Sequence, residues 1–302
     1  MWYRSLWRWL LLVVFLFPIV SGCGGSGSGF GSGSDTGSDL KGRIVFYSDR
    51  VSSDRDDLFL INADGTGLTR LTADARQRTW FPAFSPNGAF IAFQGVNTEQ
   101  FSDIFRINPD GTGEINLTPD TILIEDQGPA VSPDSTCIIF ASNRAGNLDI
   151  YWMGAADGSP VVRLTDNPAN DYEPTCAPDG RIVFVSERDG NPELYIMNMD
   201  GSNQTRLTNS AAFEEFPDVS PLGDKIAFDR FENGSFQVFT MNINGSGVQF
   251  FADGMHPSYS PDAQWIAFAS GNIRAKSVTG TQLVNVTQPA ATVVDQAPSW
   301  GP

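Results

Sequence analysis

The chain has 302 residues, of which 35 are acidic and 19 are basic, so its formal net charge at pH 7 is −16. This charge argues against a nucleic-acid-binding protein, because phosphates require a basic protein face, and against electrostatic docking on anionic lipid. It fits an exported domain, or a domain that binds cations or basic partners.

The N-terminal segment 1–22 has the features of an export signal. Two arginines precede an apolar run, 9–20, that is shorter than the about 20 residues that a membrane span needs. The following Val20-Ser21-Gly22-Cys23 resembles the bacterial lipobox, whose cysteine is lipidated and becomes the new N-terminus. We therefore predict a lipoprotein signal peptide over 1–22 and lipidation of Cys23. The alternative is an ordinary secretory signal followed by a chance cysteine.

Residues 23–41 are rich in Gly and Ser and predict a flexible linker between the anchor and a folded domain. The residue after Cys23 is Gly24 rather than Asp. By resemblance to Gram-negative sorting signals, Gly at this position favours the outer membrane. We predict an exported protein, lipid-anchored in a bacterial envelope at the periplasmic face or the cell surface.

From residue 42 onward one phrase recurs. A Ser-Pro or Ala-Pro pair, usually followed by Asp or Asn, precedes a short apolar strand that ends in Phe, with a period of 40 to 47 residues. A period of this length, with short apolar runs and tight turns, is typical of a β-propeller. The Phe-ending strand occurs six times, at 44–46, 91–93, 138–140, 182–184, 226–228 and 266–268. We predict an all-β fold over 42–302, a six-bladed β-propeller of four-stranded blades.

The first blade is predicted to be completed by the other end of the chain. The chain reaches that blade at its second strand, without a Ser-Pro phrase, and 296–302 has the pattern of a first strand. We expect this C-terminal strand to pair beside 43–48 and close the ring, which leaves no open sheet edge.

The repeat carries further phrases, including Ile-Ala-Phe, Asn-x-Asp-Gly and Arg-Leu-Thr. Together they resemble the WD40-like (PD40) propeller repeats of the TolB family, over about residues 42–302. The resemblance implies an envelope protein whose propeller binds other proteins. It does not identify the partner.

Candidate binding residues stand at the start of each first strand, which faces the channel in propellers of this type. Three residues before the first-strand proline, four of the six blades carry a carboxylate, and other polar residues stand nearby: Asp126, Asp171, Glu214 and Asp295, with Glu173, Glu215 and His256. We expect an acidic channel mouth that receives a basic peptide segment, or holds Ca²⁺ or another hard cation. The alternative is that each side chain caps its own local turn.

Two further sets of residues leave alternatives open. Trp80, Phe81, Tyr172 and Phe216 lie close to first-strand prolines and predict either an exposed aromatic rim or packing between blades. Cys137 and Cys176 are either buried free thiols or a disulfide.

Little in the sequence supports catalysis. His256 is the single histidine, and neither a nucleophile elbow, a phosphate loop nor a calcium-loop motif is present. We predict a scaffold without enzymatic activity or cofactor that binds an envelope protein or peptide. One rival is a hydrolase or lyase that acts on carbohydrate or peptide through channel carboxylates. The other rival is a purely structural propeller.

Overall fold

The computed structural model describes residues 40–72, 78–96, 101–119 and 123–302. The predicted signal peptide, Cys23 and most of the predicted linker lie outside the described residues. The described residues form 24 strands. In the same residues there is no helix with the length and hydropathy of a membrane span.

The strands are numbered in chain order and fall into six groups. Blade 1 contains β1 (Arg43–Ser52), β2 (Arg55–Asn62) and β3 (Thr69–Arg70). Blade 2 contains β4 (Arg78–Phe84), β5 (Ile91–Val96), β6 (Ser102–Ile107) and β7 (Ile115–Asn116). Blade 3 contains β8 (Asp126–Val131), β9 (Cys137–Ser142), β10 (Asp149–Gly154) and β11 (Val161–Arg163).

The remaining blades follow the same order. Blade 4 contains β12 (Asp171–Cys176), β13 (Ile182–Ser186), β14 (Glu193–Met197) and β15 (Thr205–Arg206). Blade 5 contains β16 (Phe213–Val219), β17 (Lys225–Glu232), β18 (Ser235–Asn242) and β19 (Gln249–Asp253). Blade 6 contains β20 (Met255–Tyr259), β21 (Trp265–Ala269), β22 (Ile273–Ser277) and β23 (Leu283–Asn285), and the chain ends in β24 (Asp295–Gly301).

The closure predicted from the sequence is confirmed. Strand β24 pairs antiparallel with β1, with Gly301 opposite Arg43 and Asp295 opposite Ser48. It is thus the innermost strand of blade 1, as β4, β8, β12, β16 and β20 are in the other blades. One parallel bridge, between Asp56 and Arg78, joins blades 1 and 2.

The Phe at which the recurring phrase ends lies inside the second strand of each blade, which continues one to six residues beyond it, and forms the core of that blade. All six side chains are at most 1 % exposed: Phe46, Phe93, Phe140, Phe184, Phe228 and Phe268. Because each ring is removed from water between two sheets, this column explains why the Phe-ending strand is the most regular part of the repeat.

The Arg-Leu-Thr phrase joins the outermost strand of a blade to its third strand. In blade 4, Arg206 forms a 2.9 Å ion pair with the buried Glu193. Thr208 Oγ1 donates to Glu193 Oε2 at 2.6 Å and accepts the backbone N–H of Leu194 at 2.9 Å. Blades 1 and 3 pair Arg70 with Asp57 and Arg163 with Asp149 in the same way. Part of the acidic excess therefore joins the two outer strands within each of these blades.

The packed part of the chain begins two residues before the predicted boundary of the linker. Leu40 is 7 % exposed and lies in the core between blades 1 and 6. The carbonyl of Lys41 accepts a 2.8 Å hydrogen bond from Trp300 Nε1. Leu40 and Lys41 therefore belong to the folded propeller and not to the predicted flexible linker.

Candidate functional site

Two rings of prolines line the central channel, one proline of each ring in every blade. The inner ring is buried and consists of Pro82, Pro129, Pro174, Pro217, Pro257 and Pro298. The outer ring is exposed at the rim and consists of Pro86, Pro133, Pro178, Pro221, Pro261 and Pro302. The space within, called the vestibule, has a volume of about 480 Å³. Because the proline ring fixes φ, these walls are stiff, and because proline has no N–H, the inner strand edges offer fewer donors to another strand.

The floor of the vestibule is formed by the residue before each inner proline. All six have positive φ, between 46° and 59°: Phe81, Gly128, Glu173, Phe216, His256 and Ala297. Each lies at a break in the register between the innermost strand and its neighbour. Five of the six are not glycine, so a left-handed backbone carries a steric cost that the surrounding ring must impose.

Three of these side chains form an aromatic plug on the channel axis. Phe81 of blade 2 stacks on Phe216 of blade 5 with ring centroids 5.5 Å apart. The His256 ring lies 4.2 Å from Phe216 and 5.9 Å from Phe81. Because blades 2 and 5 are opposite in a six-bladed ring, this contact crosses the axis at the floor of the vestibule.

The aromatic residues predicted as a rim are not on an exposed rim. Phe81 and Phe216 belong to the plug. Trp80 donates from Nε1 to Asp56 at 2.9 Å, and the buried Tyr172 donates its hydroxyl to Glu215 at 3.1 Å. The alternative, packing between blades, describes Trp80 and Tyr172, which bond residues of the adjacent blades, whereas Phe81 and Phe216 meet across the channel axis.

The four carboxylates predicted to form an acidic ring are each paired with an arginine. The pairs are Arg50–Asp295, Arg144–Asp126, Arg188–Asp171 and Arg230–Glu214, and every carboxylate is at most 2 % exposed. The guanidinium groups also lie over aromatic rings, and that of Arg188 is 5.7 Å from Phe184 and 4.7 Å from Tyr195. The structure thus shows neither an open ring of acidic oxygens nor turns capped by these side chains.

A signal for these pairs exists in the repeat itself. Arginine follows the Phe-ending strand in the four blades that carry the carboxylate. Where Thr79 and Gly254 replace the carboxylate, residues 94–98 and 269–273 contain no arginine. Residues that are present or absent together in the repeats of one chain are expected to be in contact.

A second set of carboxylates lacks such partners. Glu173 Oε2 accepts the backbone N–H of Phe216 at 2.8 Å, and Asp218 Oδ2 accepts that of Tyr259 at 2.7 Å. Both carboxylates of this pair border the vestibule. Below them, Asp229 accepts the backbone N–H of His256 at 2.9 Å. Within the described residues, none of these three side chains, nor Glu215, forms an ion pair.

Burial without a cation makes these carboxylates hold their protons. Burial raises the pKa of Asp218 and of Glu215 to about 7. Burial, with the nearby charge of Glu215, raises the pKa of Glu173 and of Asp229 well above the ordinary range. Near neutral pH, Glu173 and Asp229 therefore keep their protons, whereas Asp218 and Glu215 change protonation in this range, and a cation placed beside any of them would favour the ionised form.

His256 is a neutral part of the plug. Burial lowers its pKa to about 3, and Nδ1 has no hydrogen-bond partner. Its ring is thus neither a cation that could balance the carboxylates nor a base oriented by a second group.

Asp218 performs a task that serine performs elsewhere in the ring. Ser258 Oγ accepts the backbone N–H of Trp300 at 3.0 Å, and Ser299 Oγ accepts that of Phe84 at 2.9 Å. These bonds tie each blade to the next, as Asp218 ties blade 5 to blade 6. A charged group here is not needed for that bond. Sequence reasoning missed Asp218, although the matching positions of the other blades are all neutral.

The two cysteines of the described propeller are free thiols. Cys176 lines the vestibule, and burial raises its pKa to about 12, so the thiol is protonated and a poor nucleophile. Among the described residues no group of three or more His, Cys, Asp or Glu side chains is arranged to hold a metal ion.

A closed ring of six four-stranded blades around a proline-lined channel defines a β-propeller, and the family follows from the sequence. Residues 41–302 match the family model of the TolB beta propeller domain, so the chain belongs to that family. An uncharacterised protein of Agrobacterium fabrum is 31% identical over 146 residues. That match covers 48% of this chain and 48% of the relative, so the chain spans about half the length of this curated relative.

Solved structures show the same fold. TolB from Acinetobacter baumannii is similar with a TM-score of 0.75 and 24% identity, over 87% of this chain and 68% of that chain. Oligogalacturonate lyase from Vibrio parahaemolyticus is similar with a TM-score of 0.55 and 13% identity, over 82% of this chain and 74% of that chain. The fold is therefore shared by a TolB and by an enzyme, and does not decide between binding and catalysis.

Proposed function

We propose that this propeller is a protein-binding scaffold of a bacterial envelope, held at a membrane by a lipid on Cys23. Membership of the TolB propeller family supports a protein-binding scaffold in general. The N-terminal lipobox supports the anchor, and Gly24 supports the outer membrane. In this proposal the vestibule receives a basic, extended segment of an envelope protein.

The observation that carries the proposal is the pair of carboxylates, Glu173 and Asp218, on the wall of a 480 Å³ vestibule without a basic partner. A ligand ammonium or guanidinium group would supply the missing charge through charge-assisted hydrogen bonds. The proline walls suit an extended segment, because they are already rigid and lose little conformational freedom on binding. The proposed acidic binding site therefore consists of Glu173 and Asp218 and not of the four carboxylates that are paired with arginine.

A carbohydrate- or peptide-cleaving activity remains the alternative, supported by the fold shared with the lyase. It would require two carboxylates that both reach the substrate. Glu173 and Asp218 both border the vestibule, so the positions of the carboxylates do not separate cleavage from binding, and an assay for turnover is needed to do so.

The binding proposal is tested by capture of partners from crosslinked cell envelopes. The wild-type protein is compared with Glu173→Gln/Asp218→Asn and with a matched control, Asp179→Asn/Asp262→Asn, which removes two exposed rim charges. We expect a partner that wild type and control capture and that the channel variant loses although its melting temperature is not lowered. Equal capture by all three proteins would move the binding surface away from the vestibule. Turnover of oligosaccharides or peptides by wild type, abolished by Glu173→Gln, would favour the enzyme.

The anchor is tested separately by metabolic labelling with a fatty-acid analogue. We expect label on the wild-type protein and none on Cys23→Ser, which would also leave the membrane fraction because the acyl chains supply the membrane affinity. Label on neither protein would remove the lipid from the proposal and leave the vestibule unaffected.

A further inference from the structure

The turn after the outer proline differs in one blade. In four blades an Asp or Asn follows the proline and accepts the backbone N–H two residues further on, at 3.0–3.1 Å: Asn87, Asp134, Asp179 and Asp262. Blade 5 has Leu222 at this position, and the side chain is 72% exposed. Among the described residues only one other large apolar side chain, Leu123 at 70%, is exposed to a similar extent.

Leu222 is not required for the turn. The Gly223 N–H donates to the Ser220 carbonyl at 2.7 Å, as the Gly88 and Gly180 N–H groups do in their own turns at 2.8 and 2.9 Å. In blade 5 the Ser220 hydroxyl donates to Asp224 Oδ1 at 2.8 Å, whereas in blades 3 and 6 the serine donates to the residue after the proline. A polar residue at 222 could still accept the backbone N–H two residues further on, as in the other turns, and would not expose a leucine to water. The other four turns therefore show that Asp or Asn suits this position, and Leu222 departs from that pattern.

Leu222 belongs to the same blade as Asp218 and lies next to the vestibule wall, of which it is not itself a part. It follows Pro221 of the outer ring, and Gly223 faces Pro178 of blade 4, whose Cδ would lie 3.6 Å from a Cβ built on that glycine. Leu222 thus stands at the rim beside the seam between blades 4 and 5. Inside the vestibule, the same two blades supply Glu173 and Asp218.

We propose that this sector of the vestibule docks a partner segment in which a large apolar side chain stands near a Lys or Arg. The apolar side chain packs on Leu222 and the flanking prolines Pro178 and Pro221, and the cation reaches Asp218 and Glu173. The inference rests on the proposed binding function and adds the kind of sequence that is bound and the blades that bind it. Charge complementarity selects the cation, because both carboxylates lack a basic partner within the described protein.

The test is a selection of random linear peptides, displayed on phage, against the intact wild-type protein. Enriched peptides are synthesised, and their affinities are measured for wild type, for Leu222→Asp and for Asp218→Asn. Leu222→Asp restores the residue type of the other turns, so it should not harm folding. Asp262→Leu, which places a leucine on the same turn of blade 6, is the matched control.

We expect enriched peptides with a basic residue near a large apolar one. Leu222→Asp and Asp218→Asn should each weaken their binding about tenfold or more, which corresponds to about 1.4 kcal/mol or more. Asp262→Leu should bind as wild type does. Peptides that depend on Asp218 but bind Leu222→Asp unchanged would overturn this inference and leave the proposed function standing. Failure to enrich any peptide that needs Asp218 or Glu173 would count against both.

Discussion

Asp171 and Glu173 stand two residues apart in one strand and have opposite surroundings. Asp171 is fully buried and receives two hydrogen bonds, at 3.0 and 2.9 Å, from the Arg188 guanidinium group. Glu173 borders the vestibule and receives a single backbone N–H. The comparison extends to the whole ring: four carboxylates are neutralised by arginine at one end of the innermost strands, and the unpaired carboxylates belong to blades 4 and 5.

The arginine-paired carboxylates contribute to the fold, whereas the fold does not need the unpaired carboxylates. A buried ion pair that satisfies both partners is strongly destabilising to break. An unpaired buried carboxylate destabilises the folded state whenever it is ionised, because the charge is desolvated without compensation. Asp218 lowers stability at a position where a serine would accept the same backbone N–H, so we expect Asp218 to serve binding.

The largest effect is expected from breaking an arginine pair. Arg188→Met leaves Asp171 buried without its cation and should lower the free energy of unfolding by about 3–5 kcal/mol. The measurement is urea denaturation near neutral pH. The control is Asp171→Thr/Arg188→Met, which puts in blade 4 the neutral residue that blade 2 carries as Thr79. If the double variant loses as much as Arg188→Met alone, the loss comes from packing rather than from an uncompensated charge.

An effect of opposite sign is expected from Asp218→Ser. The serine would accept the Tyr259 N–H, as Ser258 and Ser299 do in neighbouring seams, without a buried charge. The free energy of unfolding above about pH 7 should rise by on the order of 1 kcal/mol. A loss of stability at that pH would place Asp218 among the structural carboxylates.

The gain from Asp218→Ser should depend on pH in a defined direction. The folded pKa of Asp218 is raised to about 7, above that of an unfolded chain at about 3.9, so the folded state binds the proton more tightly. Stability from this group is present at low pH and is lost as the pH rises from about 4 through about 7. The difference between variant and wild type should grow across that window and then level off. A constant difference from about pH 4 to about pH 8 would contradict the raised pKa.

The smallest effect is expected from Leu222→Asp. A new capping bond in the turn and one less exposed leucine should raise the free energy of unfolding by about 0.5 kcal/mol. Asp179→Leu, the reverse change in blade 4, should lower it by a similar amount. Thermal melts of both variants would check this, and a clear loss in Leu222→Asp would mean that the leucine does contribute to the fold.

The sequence predicts the fold well because the strand pattern of one blade recurs six times along the chain. The six blades, the Phe column and the pairing of β24 with β1 all follow from one recurring phrase. The channel residues Phe81, Glu173, Phe216 and His256 could also be named, because they stand beside prolines that must line the innermost strands.

The pairing of Asp171 with Arg188, 17 residues apart across β12 and β13, could have been predicted because the carboxylate and the arginine occur together in the repeats. The partners of the other channel carboxylates could not be predicted in this way. Asp218 and Asp229 accept backbone N–H groups of the next blade. The repeat pattern does not show which residues of adjacent blades lie opposite one another. The positive φ that places Phe81 and Phe216 on the axis arises at a bulge that the sequence does not mark.

The most direct test measures stability and binding on one preparation of Asp218→Ser, with a peptide selected on the wild-type protein as the ligand. If the unpaired carboxylate serves binding, the free energy of unfolding above about pH 7 rises by on the order of 1 kcal/mol while the affinity falls about tenfold or more. If stability and affinity fall together, or if affinity is unchanged, the vestibule carboxylates are part of the scaffold and the binding site lies elsewhere.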